Sequence, residues 1–75
     1  MKLWIARDKN NGLCLYRNKP ELFKIEENIN EEFWKDSSND GYYCYLYYSE
    51  FPEVTFENSP QQIELKLVQN DKENI

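Results

Sequence analysis

The 75-residue sequence contains no histidine, the side chain used most often for acid–base catalysis and for activating a serine or cysteine nucleophile. Its only glycines are Gly12 and Gly41, which excludes a glycine-rich loop of the kind that cradles phosphates. Its two cysteines, Cys14 and Cys44, stand alone in apolar segments, without the Cys-x-x-Cys spacing of a metal or redox motif. We therefore expect no enzyme, no cofactor and no metal site.

The acidic residues are numerous, but their spacing matches no complete site. Neighbouring pairs such as Glu26–Glu27 are typical of a solvated surface, and nothing indicates two carboxylates facing each other across a cleft, as glycoside hydrolysis requires. Residues 36–41, Asp-Ser-Ser-Asn-Asp-Gly, imitate the first half of a calcium-binding loop. The last position of that loop would be Tyr47, where a bidentate glutamate is needed, so we predict a turn instead.

Long hydrophobic runs are also missing. No segment approaches the ~18 apolar residues of a membrane span, and Arg7 ends the short apolar stretch that follows Lys2, so no export signal is visible. The sequence thus predicts a cytoplasmic protein with no membrane association and with both thiols reduced. Residues 1–69 are predicted to form one domain, and the polar tail 70–75 to be flexible.

The charge is unevenly distributed along the chain. Residues 1–24 carry six basic and two acidic residues, a balance of +4, whereas residues 25–75 carry three basic and twelve acidic residues, a balance of −9. An acidic surface repels phosphate backbones, which disfavours direct nucleic-acid binding through it. It would attract a basic groove on another protein, although the same charge also suits a solvated surface that keeps a small protein soluble.

Two alternating segments predict a β-hairpin. Lys2–Arg7 and Leu13–Arg17 are separated by residues 8–12, whose asparagines and glycine tolerate positive φ. If Ile5 pairs with Leu15, each face of the hairpin receives a consistent set of side chains. One face then carries Leu3, Ile5, Leu13 and Leu15, and the other carries Trp4, Cys14 and Tyr16.

Residues 18–36 fit two structures. Apolar side chains recur at helical spacing at Leu22, Ile25, Ile29 and Phe33. Before them, Asn18 and Glu21 suit a capping box, and Pro20 is tolerated in the first turn of a helix. Asparagines and off-stripe aromatics count against a helix, and a loop leading into a strand at Glu32–Lys35 fits nearly as well. We slightly favour a short helix.

The segment from Gly41 to Phe56 holds seven of the twelve aromatic residues. Alternation predicts a strand from Tyr42 to Tyr48, with one face packed on the hairpin and a tyrosine ladder on the other. The packed face carries Tyr42, Cys44, Leu46 and Tyr48, and the ladder is Tyr43, Tyr45 and Tyr47. Residues 51–56 contain Pro52 and are expected to form an edge strand or a packed loop.

A final strand is predicted from Gln62 to Val68, with Ile63, Leu65 and Leu67 inward. Together these segments predict a mainly β (or small α+β) fold. We expect a single compact antiparallel sheet of four to five strands, curled or partly closed. The fold could also include one short helix.

The tyrosine ladder is the best candidate for a binding surface. Tyrosine gives a large contact area at low entropic cost, and nearby carboxylates would steer a basic partner toward it. The proposed residues are Tyr43, Tyr45 and Tyr47, with a rim of Glu50, Glu53 and Glu57. An alternative is that a helix over residues 20–35 covers this face and makes it core.

Two other functions remain open. Basic and aromatic residues on the first hairpin could form a small nucleic-acid-binding β module that stacks bases; they are Trp4, Arg7, Tyr16 and Arg17. The chain could also be a structural or assembly protein that self-associates through the tyrosine face or an unprotected strand edge.

Three segments of the chain form a distinctive combination: residues 1–9 (Met-Lys-Leu-Trp-Ile-Ala-Arg-Asp-Lys), Leu13-x-Leu15-Tyr16 with Lys19-Pro20, and residues 51–60 (Phe-Pro-Glu-Val-Thr-Phe-Glu-Asn-Ser-Pro). In these segments the chain resembles a group of small proteins encoded by gut-bacterial phages and mobile elements. The resemblance implies no catalytic residues. It implies an accessory protein that binds a host protein, for example an inhibitor that occupies the basic groove of a defence or nucleic-acid-handling factor as nucleic-acid mimics do.

Overall fold

The fold, obtained as a computed structural model, is described over residues 1–25, 28–36 and 44–68. This part is all β, with six strands: β1 Lys2–Arg7, β2 Leu13–Tyr16, β3 Pro20–Ile25, β4 Asn28–Asp36, β5 Cys44–Leu46 and β6 Gln61–Glu64. Four strands form an open antiparallel sheet in the order β5-β2-β1-β6, and β3 and β4 form a separate antiparallel hairpin. The mainly antiparallel β fold is confirmed, with its strands divided between two sheets.

The first hairpin has the predicted register, with Ile5 opposite Leu15. In its turn the Asp8 N–H donates to the Gly12 carbonyl at 2.8 Å and the Asn11 N–H donates to the Asp8 carbonyl at 2.9 Å. Asn11 adopts the positive φ of 77° that such a turn requires. One face of the hairpin forms the main core, whose buried members are Leu3, Ile5, Leu13, Leu15 and Val54, with Cys44, Leu46 and Ile63 packed around them. The predicted division of side chains between the two faces is confirmed.

The reverse face of the same hairpin is buried as well. Ala6, Cys14 and Tyr16 form a second cluster, and Trp34 of β4 packs on it. The Tyr16 hydroxyl donates to the Trp34 carbonyl oxygen at 3.1 Å, and the Trp34 backbone N–H donates to Asp8 Oδ1 at 2.8 Å. These contacts attach the β3–β4 hairpin to the four-stranded sheet.

The preference for a helix in residues 18–36 is wrong, because this segment forms β3 and β4. Phe23 lies opposite Phe33, and their rings stack with centroids 6.2 Å apart. Trp34 lies opposite Leu22 and covers the other sheet. Phe23 and Trp34, which do not fit the helical spacing, therefore make contacts that favour two strands over a helix. The alternative strand at Glu32–Lys35 lies within β4.

The last two strands are shorter than predicted. Cys44 and Leu46 of β5 face the core as expected, whereas Tyr48 follows the strand and is exposed. β6 ends at Glu64, so the prediction that Leu65 and Leu67 point inward is wrong. The predictions for Tyr42, for Tyr43 and for the tail 70–75 fall outside the described residues.

Cys14 and Cys44 are both free. The register of β2 and β5 explains this, because Cys14 lies opposite Tyr45 on the reverse face, whereas Cys44 lies opposite Leu15 on the core face. Their side chains therefore project from opposite sides of the sheet. Within residues 1–25, 28–36 and 44–68, no helix has the length and apolar character needed to cross a bilayer.

Candidate protein-interaction surface

Arg7 holds the loop that follows β5. Its side chain continues the core face beyond Leu3 and Ile5 and is only 6% exposed. The guanidinium donates to five main-chain carbonyl oxygens: Nε to Val54, Nη1 to Asn11 (3.0 Å) and Tyr48 (2.9 Å), and Nη2 to Glu50 (2.9 Å) and Phe51 (3.1 Å). The rigid fork of five N–H donors is suited to this arrangement. A buried positive charge is thus stabilised by backbone dipoles.

Further hydrogen bonds fix residues 47–59, which we term the anchored loop. The Glu50 N–H donates to the Tyr47 carbonyl (3.0 Å), and the Val54 N–H donates to the Phe51 carbonyl (2.9 Å). Thr55 and Asn58 exchange hydrogen bonds between their side chains and backbone N–H groups. The Arg7 backbone N–H donates to Ser59 Oγ at 2.9 Å, which ties the end of the loop to β1. The loop is therefore highly organised despite its irregular backbone.

Phe51 adopts a φ of 48°, in the left-handed region that side-chain-bearing residues seldom occupy. Arg7 Nη2 binds the carbonyl of this residue and that of Glu50. Uncommon backbone conformations persist where the surrounding structure constrains them strongly. The hydrogen bonds from Arg7 supply that constraint at this position.

The anchored loop presents aromatic rings and carboxylates to solvent. Tyr47 is 80% exposed and Tyr48 is 67% exposed. The carboxylates of Glu50, Glu53 and Glu57 are also exposed, and none of them forms an ion pair within the described part of the chain. Between Lys35 and Lys66 the sequence contains six acidic residues and no basic one. The surface therefore combines large rings with uncompensated negative charge.

The structure does not place the predicted tyrosines in one ladder. Tyr45 lies on the reverse face of β5, opposite Cys14, and is exposed. Tyr47 lies past the end of the strand, where the chain turns, so the alternation that would align the two rings has ended. Tyr43 lies outside the described residues. Tyr48 and Phe51 are exposed rings that the sequence did not predict, because alternation assigned Tyr48 to the core face and Phe51 was expected in an edge strand or packed loop.

The four residues of the nucleic-acid alternative do not form one exposed surface. The Arg7 guanidinium is buried and bound to carbonyl oxygens, so it does not face a phosphate. The Tyr16 ring is buried, and burial raises the pKa of its hydroxyl far above the usual value. Trp4 is half-buried beneath the Lys19 ammonium, which lies 5.5 Å from the ring centroid, and only Arg17 is exposed. These four side chains therefore do not offer one continuous exposed surface on which bases could stack.

Two depressions flank the attachment of the second hairpin. One, of about 420 Å³, lies between the first turn and the anchored loop, and includes Lys9, Tyr48, Phe56 and Glu57. The Lys9 ammonium lies 5.3 Å from the Phe56 ring centroid and 3.4 Å from Glu32 Oε1. The other depression is on the reverse face, between Cys14, Trp34 and Tyr45 among others.

The Cys14 thiol and the acidic side chains are the groups in the described residues that bear on reactivity and metal binding. Burial raises the pKa of the Cys14 thiol to about 11, so at neutral pH this thiol is protonated and a poor nucleophile. Residues 1–25, 28–36 and 44–68 contain no group of three or more acidic or cysteine side chains placed to hold a metal ion. The chain matches no protein-family model, no curated protein and no solved structure.

Proposed function

We propose that the protein is a non-enzymatic binding protein that docks into a basic groove of another protein through the anchored loop. The observation that carries this proposal is the combination of exposed Tyr47 and Tyr48 with three unpaired carboxylates on a backbone fixed by Arg7. A pre-organised loop loses little conformational entropy on binding, so more of the contact energy contributes to affinity. Exposed tyrosines are frequent hot-spot residues in protein interfaces.

The carboxylates give the proposal its choice of partner. Glu50, Glu53 and Glu57 would steer a positively charged surface toward the rings and would repel acidic competitors. A groove that normally receives a nucleic-acid backbone has the required charge. On this proposal the protein is a phage or mobile-element accessory protein of the bacterial cytoplasm that inhibits a defence or nucleic-acid-handling factor. The resemblance of its two end segments to such proteins and the −9 balance of residues 25–75 support this setting.

The test begins with partners captured from a bacterial lysate and identified by mass spectrometry. For each purified partner, the dissociation constant is measured by calorimetry at increasing salt concentrations. Electrostatic docking predicts that affinity falls as salt rises, and that the partner's nucleic acid competes for the same site. Binding that is insensitive to salt and to nucleic acid contradicts the proposal.

A matched pair of variants locates the surface. Glu50→Lys and Glu21→Lys make the same change in net charge, but Glu50 lies in the anchored loop and Glu21 lies on β3. Loop docking predicts that Glu50→Lys weakens binding by about tenfold or more, whereas Glu21→Lys has little effect. Circular dichroism verifies that both variants fold. Equal effects would show that net charge, and not the loop, determines binding.

A further inference from the structure

The outer edge of β6 has no strand partner among the described residues, because β6 lies at the end of the sheet order. Beyond it, Leu65, Leu67 and Val68 are exposed, and Leu67 is 89% exposed. Leu65 and Leu67 continue the alternation of Ile63, which packs against the main core. An apolar strand edge of this kind is a template for pairing with another strand.

Hydrogen bonds to Met1 set the direction of the backbone just beyond the end of β6. The Leu65 N–H donates to the Met1 carbonyl at 2.7 Å, and the Met1 amino group donates to the Leu65 carbonyl at 2.9 Å. In an antiparallel ladder successive residues direct their backbone polar groups to opposite sides. The N–H and C=O groups of Glu64 therefore point away from β1, and those of Lys66 do so when the strand is extended. Their positions define which residues a new strand can bond.

Among registers with the two-fold axis at residues 64–66, charge favours one pairing between two copies of this edge. When residues 65–68 extend the strand, hydrogen-bonded pairs must be formed by the outward-directed residues Gln62, Glu64, Lys66 and Val68. A two-fold axis at Glu64 or at Lys66 would place like charges opposite each other, which destabilises an antiparallel pair. An axis at Leu65 places Glu64 of each copy opposite Lys66 of the other. The same register places Ile63 opposite Leu67 and Leu65 opposite Leu65, so the apolar side chains also meet.

We propose that the protein forms a symmetric homodimer by antiparallel pairing of residues 62–68 of two copies, with the two-fold axis at Leu65. Pairing would join the two four-stranded sheets into one continuous sheet and cover Leu65 and Leu67. The interface is isologous, because each copy contributes the same strand. This interface lies on a different segment from the anchored loop, so the dimer can be tested independently of the proposed function.

Charge reversal tests the register, with sedimentation velocity at concentrations up to about 1 mM as the measurement. Glu64→Lys and Lys66→Glu should each weaken dimerisation by roughly tenfold, because two cross-strand pairs become repulsive. The double variant E64K/K66E should restore dimerisation close to that of the natural chain. A natural chain that is monomeric throughout this range, or a double variant no better than the single ones, would overturn the proposal.

Crosslinking provides a second measurement that does not depend on charge. Leu65→Cys places two thiols opposite each other at the axis, where the Cα separation of about 4.5 Å permits a disulfide. Leu67→Cys is the control, because it is more exposed but would lie more than ~12 Å from its own copy. Rapid oxidation to a dimer at residue 65 but not at residue 67 supports the register. Faster crosslinking at residue 67 would follow from exposure alone and would disprove it.

Discussion

The two hairpins of this protein have the same topology and are stabilised in different ways. The β1–β2 hairpin is buried on both faces, by the main core on one side and by Trp34 on the other. The β3–β4 hairpin is buried at its base, at Pro20 and Asp36, while Leu22 and Phe23 along it are partly exposed. A chain of this size has enough apolar surface to bury only one hairpin on both faces. The other depends on cross-strand pairs and on its attachment to the first.

The largest effect is expected from Arg7→Met, which removes the guanidinium that organises the anchored loop. The variant removes the side-chain donors to the carbonyls of Tyr48, Glu50 and Phe51, and we expect it to lower the free energy of unfolding by about 3–5 kcal/mol. Urea denaturation followed by tryptophan fluorescence measures this. Arg17→Met, at an exposed position, is the control and should cost less than about 1 kcal/mol. Similar losses in the two variants would contradict the role assigned to Arg7.

Ile5→Ala should have the next largest effect. Ile5 is fully buried in a central strand, so the substitution leaves a cavity in the main core. We expect it to lower the free energy of unfolding by about 3 kcal/mol. Thermal denaturation followed by far-ultraviolet circular dichroism would detect the change. A loss below about 1 kcal/mol would show that the core does not depend on this hairpin.

Phe23→Ala is the corresponding change in the second hairpin. It removes the stacked contact with Phe33. It also removes the ring over which the Lys35 ammonium lies, 5.2 Å from the centroid. Because Phe23 is 39% exposed, we expect a loss of only about 1 kcal/mol. Hydrogen exchange should show that protection falls in β3 and β4 and is retained in β1 and β2. Equal loss in both hairpins would mean that they unfold as one unit.

The smallest effect concerns Asp8, which joins the two hairpins by accepting from the Trp34 N–H. Burial raises the pKa of this carboxyl above 3.8, so the folded protein binds the proton more tightly than the unfolded chain. The charge on Asp8 therefore opposes folding at neutral pH, and this cost disappears as pH falls through the raised pKa.

Asp8→Asn keeps an acceptor for the Trp34 N–H and removes the charge. We expect it to raise the free energy of unfolding at pH 7 by about 0.5 kcal/mol or less, since the carboxyl is partly solvated. The difference from the natural chain should vanish below about pH 3, where both side chains are neutral. Urea denaturation at a series of pH values measures it. A stability difference between the two proteins that grows as pH falls would contradict this prediction.

The difference between the two hairpins also explains which of them could be predicted from the sequence. Strict alternation around a turn rich in asparagine predicted the first hairpin and its register, because both faces of that hairpin are covered. In the second hairpin the apolar spacing also fits a helix, and the choice is made by Trp34 packing on a sheet formed by distant residues. Local sequence does not contain that contact.

The candidate surface was predictable in composition but not in geometry. The exposed tyrosines and glutamates follow from an excess of rings and acids over what a small core can hold. The part played by Arg7 was not predictable, since its acceptors at Tyr48, Glu50 and Phe51 lie more than forty residues away. Alternation likewise continues to Leu67, although the backbone pairing with β1 and Met1 extends only to Leu65.

The way Arg7 is used has a consequence for diversification. Its acceptors at positions 48, 50, 51 and 54 are main-chain oxygens, which every amino acid possesses. Side chains at 48 and 50 can therefore be exchanged while the frame is retained, with position 51 restricted to residues that tolerate its left-handed backbone. A library randomised at the permissive positions would change the exposed side chains of the loop and keep its main-chain hydrogen bonds to Arg7.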